Sequence, residues 1–211
     1  MSQTRERILR AATDLFLEKG YGASGMAEIL DRAKANSGSF YYFFQSKENL
    51  LSAVLDRYQK ILDPVLLEPI WKTTKDPIER IFRLLGKYRE LILDSKCSYG
   101  CPIGRLALEI GAGQTAIHRK VAANFDAWKA AVEQCLKAAK SRGQLPKTVD
   151  CKRLACLVLS VMEGGVMQSR SYGSVRAFDI SVEELRHYFS ILAQGVSRTR
   201  VPRSMKAKQR R

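Results

Sequence analysis

The chain has 211 residues, 45% hydrophobic and 27% charged, with a formal net charge of +15. That length can bury a substantial core, and no apolar run approaches the roughly 20 residues that span a bilayer, so no membrane-spanning helix is expected. Positive charge rewards contact with phosphates, yet seven basic residues and no acid fall in residues 196–211, while the first fifty residues hold seven basic against six acidic side chains. Charge therefore supports nucleic-acid binding without locating it.

In chain order, the N-terminus runs from Met1 straight into an amphipathic pattern instead of a cleavable leader, which predicts a cytoplasmic protein. A first helix is predicted from Thr4 to Lys19, with Ile8, Leu9, Ala12, Leu15 and Phe16 on one face and Gly20 as C-cap. A short helix over Gly25–Ala33, capped by Ser24, is followed by a turn at Lys34–Asn36 and a second short helix, Ser37–Phe43. Their lengths and tight link are those of a helix-turn-helix. Ser46 then opens a long helix with Leu50, Leu51, Val54, Leu55, Tyr58, Ile61 and Leu62 on its apolar face. Prolines 64, 69 and 77 are expected to break up the next stretch. Asp76-Pro77-Ile78-Glu79 starts a helix to about Asp94.

Further along, Cys101 precedes a short helix from Pro102 to Ile110, and a long helix follows over about Gln114–Ser141. After Gly143 and Pro146 another helix is expected over Val149–Arg170. A Ser181-Val182-Glu183-Glu184 capping box is expected to start the last, with Leu185, Phe189 and Leu192 apolar. The final pair supplies material for an intermolecular four-helix bundle, and periodicity fits ordinary packing within one subunit equally well. The tail has almost nothing to bury and is expected to be disordered.

Catalytic and metal chemistry find no foothold. The five cysteines, Cys97, Cys101, Cys135, Cys151 and Cys156, are irregularly spaced, and His118 and His187 have no evident nucleophile or carboxylate partner. No enzyme activity, metal or cofactor is expected. A helical enzyme or carrier that keeps a helix-turn-helix would need a convergent titratable cluster, which is missing. An architectural DNA binder would need its basic residues on the DNA-binding element, where charge nearly cancels.

The string Thr4-Arg-Glu-Arg-Ile8-Leu9, Ala11-Ala12, Leu15-Phe16, Lys19-Gly20-Tyr21, Ser39-Phe40-Tyr41-Tyr42-Phe43-Phe44-Gln45-Ser46-Lys47-Glu48 and Leu50 closely resembles the DNA-binding domain of the TetR family. Residues Tyr99 to Glu109 resemble a stretch of an LmrA/YxaF-like subgroup. The resemblance implies an all-α fold of about nine helices: a three-helix DNA-binding domain (1–46), a larger helical effector-binding and dimerisation domain (47–197), and the basic tail (198–211). It implies a repressor that binds palindromic operator DNA as a homodimer and is released by a small hydrophobic or aromatic effector. Matching positions imply Ser37, Gly38 and Tyr41 for base edges and Ser24, Ser39, Tyr42 and Lys47 for phosphates. Two departures, Lys34 where many members have glycine and Tyr42-Phe43 after the recognition tyrosine, keep the operator sequence from being carried over.

A pocket is expected among the helices at 46–62, 77–94, 102–110 and 114–141, lined by Phe82, Leu85, Cys101, Ile103, Leu106, Phe125 and Trp128. A thiol at a helix N-terminus would have a lowered pKa if exposed, which makes Cys101 a candidate for modification by electrophiles, while free cysteine is among the most buried residue types and the commoner case is an inert buried thiol. The dimer interface is expected at Leu154, Leu157, Val158, Val161, Met162, Leu185, Phe189 and Leu192.

Overall fold

Apolar residues recurring every three to four positions make the described part of the chain helical. The computed structural model describes residues 2–111 and 113–199, with side chains to residue 195, and contains no strand among them. Helix α1 (Gln3–Lys19) buries Ile8, Leu9, Ala12, Leu15 and Phe16 and ends at Gly20, whose φ of +91° favours glycine. Helices α2 (Met26–Ala33) and α3 (Ser37–Phe43) pack across it. The turn between them requires a left-handed residue, and Lys34 adopts it at φ +49°. Arg7 of α1 fastens that turn by donating to the carbonyls of Ala33 (3.1 Å) and Lys34 (3.3 Å).

Ser46 caps α4 (Lys47–Ile61), its Oγ accepting the Asn49 N–H at 3.1 Å. Leu50, Leu51, Val54 and Leu55 of α4 are buried, and the helix packs on both α1 and α8. The α-helical bonding ends at Ile61, ahead of Pro64, and the stretch that follows is broken into short pieces as the prolines lead one to expect. The chain runs on through a π-helical turn (Leu62–Leu67) into α5 (Glu68–Thr73). Widening the turn accommodates a ring that can neither donate a hydrogen bond nor tolerate the carbonyl four residues back, and Pro69 falls in the first turn of α5, where its missing N–H costs nothing.

Helix α6 (Pro77–Asp94) begins at its predicted cap, Asp76 accepting the Glu79 N–H at 2.8 Å. Helices α7 (Pro102–Glu109), α8 (Thr115–Ser141), α9 (Cys151–Tyr172) and α10 (Arg176–Thr199) complete the described chain. With α4, the π turn and α5 taken as one continuous rod, the described residues form nine rods, as expected. Helix α8 is the hub of the C-terminal part, touching α4, α6, α7 and α9.

The last helix starts earlier than its capping box. Gly173 turns left-handed at φ +60° and Ser174 Oγ accepts the Arg176 N–H at 3.3 Å, which is sufficient to begin α10. Ser181 is therefore inside the helix, its hydroxyl donating to the Ala177 carbonyl at 2.8 Å. The early start seats Phe178, fully buried, against Gly165, where a Cβ would lie 2.8 Å from the ring. Of the basic tail expected at 198–211, the first two positions end α10 and the rest lies outside the described residues.

Candidate functional site

Seven residues are too few for a stable isolated helix, so α3 depends on what it buries. Phe40 and Phe44 face inward with ring centroids 5.8 Å apart. The opposite side carries Ser37, Gly38, Tyr41 and Tyr42 outward, the tyrosines 64% and 83% exposed. Tyr41 leans edge-on against Phe40 (5.1 Å) and Tyr42 against Phe43 (4.8 Å), which steadies both rings without covering them. Ser39 is half-buried, and its N–H is used by the Asn36 cap at 2.8 Å. An outward face of two aromatic rings with hydroxyl tips suits thymine methyls and phosphates.

Two expected phosphate contacts are placed differently. Ser24 is fully buried and its Oγ donates to the Gly20 carbonyl at 2.6 Å, so it closes the α1–α2 turn while Gly25 caps α2. Lys47 is half-buried, with Nζ donating to the Tyr21 carbonyl at 2.6 Å and lying 4.5 Å from the Tyr21 ring centroid. Burial lowers its pKa, and the nearby Glu109 carboxylate opposes the shift. The cation is engaged inside the molecule.

Lys47 belongs to a larger clamp on the end of α1. Arg105 of α7 donates through Nη1 to the carbonyls of Leu17 (3.1 Å) and Glu18 (3.2 Å) and through Nε to Glu109 (2.8 Å). Glu109 in turn accepts the Gly22 N–H at 3.0 Å. A guanidinium on the last carbonyls of a helix satisfies orphan acceptors at the negative end of its dipole. A Cβ at Gly20 would run into the Glu109 carboxylate, so this position needs glycine for space as well as for its backbone angle. Helix α7 thus grips the DNA-binding part by its second turn.

Its first turn walls a partly open cavity of about 260 Å³ lined by α4, the π turn, α6, α7, α8 and α9. Cys101, Ile103, Phe125 and Trp128 line it as expected. Phe82, Leu85 and Leu106 do not. Phe82 packs edge-on to Phe189 (5.4 Å) under the Arg186 guanidinium (3.9 Å), while Leu85 and Leu106 are consumed by the core. Sequence reasoning missed Tyr58, Tyr88, Leu159 and Glu163 in the wall, and Met162 lines this cavity. The signal for Glu163 was its isolation, as the sole acid in the apolar run from Leu157 to Val166.

Three buried polar atoms of this wall, Tyr58 Oη, Trp128 Nε1 and Glu163 Oε1, have no hydrogen-bond partner among the described residues. Burial raises the Glu163 pKa, and the neighbouring Cys101 thiol restrains the shift. A Cβ at Gly104 would collide with the Glu163 carboxylate, so glycine there makes room for it. Cys101 meets the buried, inert alternative and not the exposed, reactive one. Although it accepts help from backbone N–H groups of the α7 first turn, it is buried, and burial followed by the Glu163 charge pushes the thiol well up.

The residues expected at a dimer interface divide in two. Leu154, Val158, Met162, Leu185 and Phe189 are buried within the chain's own core and are unavailable to a partner. Leu157 is 43% exposed, and Val161 and Leu192 are partly so. The apolar side chains left open on α9 and α10 form a neighbouring stripe, with Met167, Ile180, Tyr188 and Ile191 joining Leu157 and Val161.

Comparison with known proteins agrees with this architecture. Residues 8–54 match the family described as bacterial regulatory proteins, tetR family, and residues 77–185 match the tetracyclin repressor-like C-terminal domain. The chain is 29% identical over 167 residues to the HTH-type regulator YxaF of Bacillus subtilis (strain 168), covering 79% of this chain and 84% of that one. It is 34% identical over 112 residues, 53% of this chain and 57% of the relative, to an HTH-type regulator in the lacX 3' region of Lactococcus lactis subsp. lactis. The fold matches regulatory protein TetR from Rhodobacter sphaeroides with a TM-score of 0.80 at 22% identity, covering 87% of this chain and 97% of that one. A TM-score of 0.75 at 20% identity relates it to the regulator CifR, a cysteine mutant solved with double-strand operator DNA, over 86% of this chain and 95% of that one. No described helix is long and apolar enough to cross a membrane. With both of its parts matched in order, the chain belongs to the TetR family of transcriptional regulators, DNA-binding proteins that are not enzymes.

Proposed function

We propose that this protein is a cytoplasmic, ligand-controlled repressor that binds a palindromic operator as a homodimer and is released by a small, largely apolar effector held in the 260 Å³ cavity. One observation carries the reading. A single eight-residue helix, α7, with its cap Cys101, contributes Cys101, Pro102 and Ile103 to the cavity wall at one end and Arg105 and Glu109 to the clamp at the end of α1 at the other. A ligand that favours one position of α7 then favours one position of the DNA-binding part, and it acts only through its differential affinity for the two arrangements.

In this reading Ser37, Gly38 and Tyr41 meet base edges and Tyr42 and Ser39 the backbone, with half-sites about 34 Å or more apart in successive major grooves. The exposed stripe of α9 and α10 joins two copies. The testing experiment is selection of bound DNA from a random pool, with and without candidate effectors. A palindromic consensus whose recovery falls with effector is the expected result, and recovery of unrelated sequences would overturn the reading. Tyr41→Ala should cut discrimination between operator and random DNA by about 1–3 kcal/mol, and an equal loss on both would remove its role in base readout.

A further inference from the structure

The chain's positive charge sits far from its reading helix. Residues 137–153 hold six basic side chains (Lys137, Lys140, Arg142, Lys147, Lys152 and Arg153) against one acid, and residues 196–211 hold seven against none, so these two stretches account for twelve of the fifteen net charges. The first stretch is one surface, made by the end of α8, the loop after it and the first turn of α9. Arg142 donates to the Lys75 carbonyl at 3.0 Å and Lys140 to the Val149 carbonyl at 2.8 Å, which folds the loop into a basic cap with Arg142, Lys147, Lys152 and Arg153 exposed. Asp150 spends its carboxylate capping α9, accepting the Lys152 and Arg153 N–H groups at 3.0 and 3.1 Å. The second stretch starts at the same place, because a Cβ at Gly195, near the end of α10, would lie 3.6 Å from the Pro146 ring. Helix α8 begins beside the DNA-binding part, where Gln114 donates to Glu48 at 3.3 Å, and its 27 residues put the basic end about 40 Å away.

We propose that this basic end, together with residues 200–211, is a second nucleic-acid surface that holds a segment of duplex DNA other than the one on α3. The inference goes beyond the repressor reading and does not depend on the effector cavity. Clustered lysine and arginine gain affinity by releasing the counterions condensed on a polyanion, and duplex DNA presents one negative charge per about 1.7 Å of its axis. Residues 200–211, which lie outside the described residues, span at most about 40 Å when fully extended. They therefore fall short of a duplex on the outer face of α3, which packs on α1, a further layer beyond the start of α8. A single strand is held by aromatic platforms, and neither basic stretch contains an aromatic residue. A membrane surface is held by apolar side chains that insert, and no large one is exposed on residues 137–153. Contacts of this kind go to the phosphate backbone and read no sequence. One molecule then holds its operator at one end and a distant duplex segment at the other.

The test is fluorescence anisotropy of the full chain with a labelled random-sequence duplex across a salt series. Two variants separate the ends of the molecule. One combines Lys147→Gln, Lys152→Gln, Lys206→Gln and Lys208→Gln; the other, Tyr42→Glu, puts a carboxylate on the exposed face of α3. The quadruple variant should lose at least about tenfold in affinity at low salt and lower the salt slope by about two to three, whereas Tyr42→Glu should keep its random-duplex affinity within about threefold. Arginine at the same four positions should retain wild-type binding, which separates loss of charge from damage to the fold. A bead-held duplex should recruit a second, labelled duplex through the wild type, and at least about tenfold less of it through the quadruple variant. A salt slope unchanged by the four glutamines, a larger loss in Tyr42→Glu than in the quadruple variant, or failure of the wild type to bring two duplexes together overturns the proposal. Binding as tight or tighter to the single strand of the same sequence, to vesicles of phosphatidylglycerol and phosphatidylcholine in equal parts, or to poly-glutamate, each compared at equal anionic charge, overturns the choice of duplex DNA.

Discussion

Replacing Arg105 with alanine should disconnect the cavity from the DNA-binding part. The arginine side chain is only 15% exposed and makes three charge-assisted contacts, to the carbonyls of Leu17 and Glu18 and to the 26%-exposed Glu109. Truncating one partner of a largely buried, hydrogen-bonded charge pair costs about 2–5 kcal/mol, much of it from the groups left behind. Here those are two carbonyls at the end of α1 and a carboxylate set against Gly20. Ordinary allosteric coupling is about 1–3 kcal/mol, a 5- to 150-fold change in affinity, so the lost contact is as large as everything it would have to transmit. Operator affinity of Arg105→Ala, measured by anisotropy with saturating effector and without it, should therefore change by less than about twofold. Dialysis should show effector binding nearly unaltered, since Arg105 does not line the 260 Å³ cavity. Thermal unfolding should fall by about 4–8 °C if the cost is near 2 kcal/mol. A variant that keeps the full wild-type response to effector would refute the clamp as the route of communication.

Lys34→Gly should raise stability by about 1 kcal/mol, or about 2–4 °C in Tm, because glycine takes the left-handed turn without strain; a lower Tm would show that the lysine side chain compensates its backbone. Arginine at Leu157 should yield a folded monomer by sedimentation, whereas arginine at fully buried Val158 should unfold the chain, and two folded monomers would contradict the division of that helix into inner and outer faces. At pH 8, where a thiol with a raised pKa is almost wholly protonated, iodoacetamide should label exposed Cys156 and spare Cys101. Peptide mapping that finds Cys101 alkylated as fast as Cys156 would restore it as a reactive sensor.

Much of the fold was legible because its signals are local. Ser46 and Asp76 cap their helices as the spacing predicts, and Gly20 ends α1 for a reason readable in one residue. The capping box at Ser181 failed because serine followed by acids also occurs inside helices, where the hydroxyl bonds back to the preceding turn. Pro64 interrupts the α-helix as expected, but the widened turn by which the chain continues around it was not legible. The partition of α9 was beyond sequence, since Leu154, Leu157, Val158, Val161 and Met162 cover too wide an arc to show which side meets the core. Phe82 and Leu85 were misplaced in the pocket for the same reason. The clamp joins positions 105 and 109 to 17, 18 and 22, and no periodicity records a contact of that range.

Helix α7 has eight residues, fewer than an isolated helix needs to persist in water. Its order is therefore supplied from outside, by the cavity wall at Ile103, by α1 at Arg105 and by the turn after α1 at Glu109. Loss of either anchor acts on whether the helix exists as well as on where it lies. The protection of its backbone amides against hydrogen exchange should consequently rise and fall with occupancy at both ends, which makes residues 105–109 a built-in gauge of whether the two parts of the molecule are engaged.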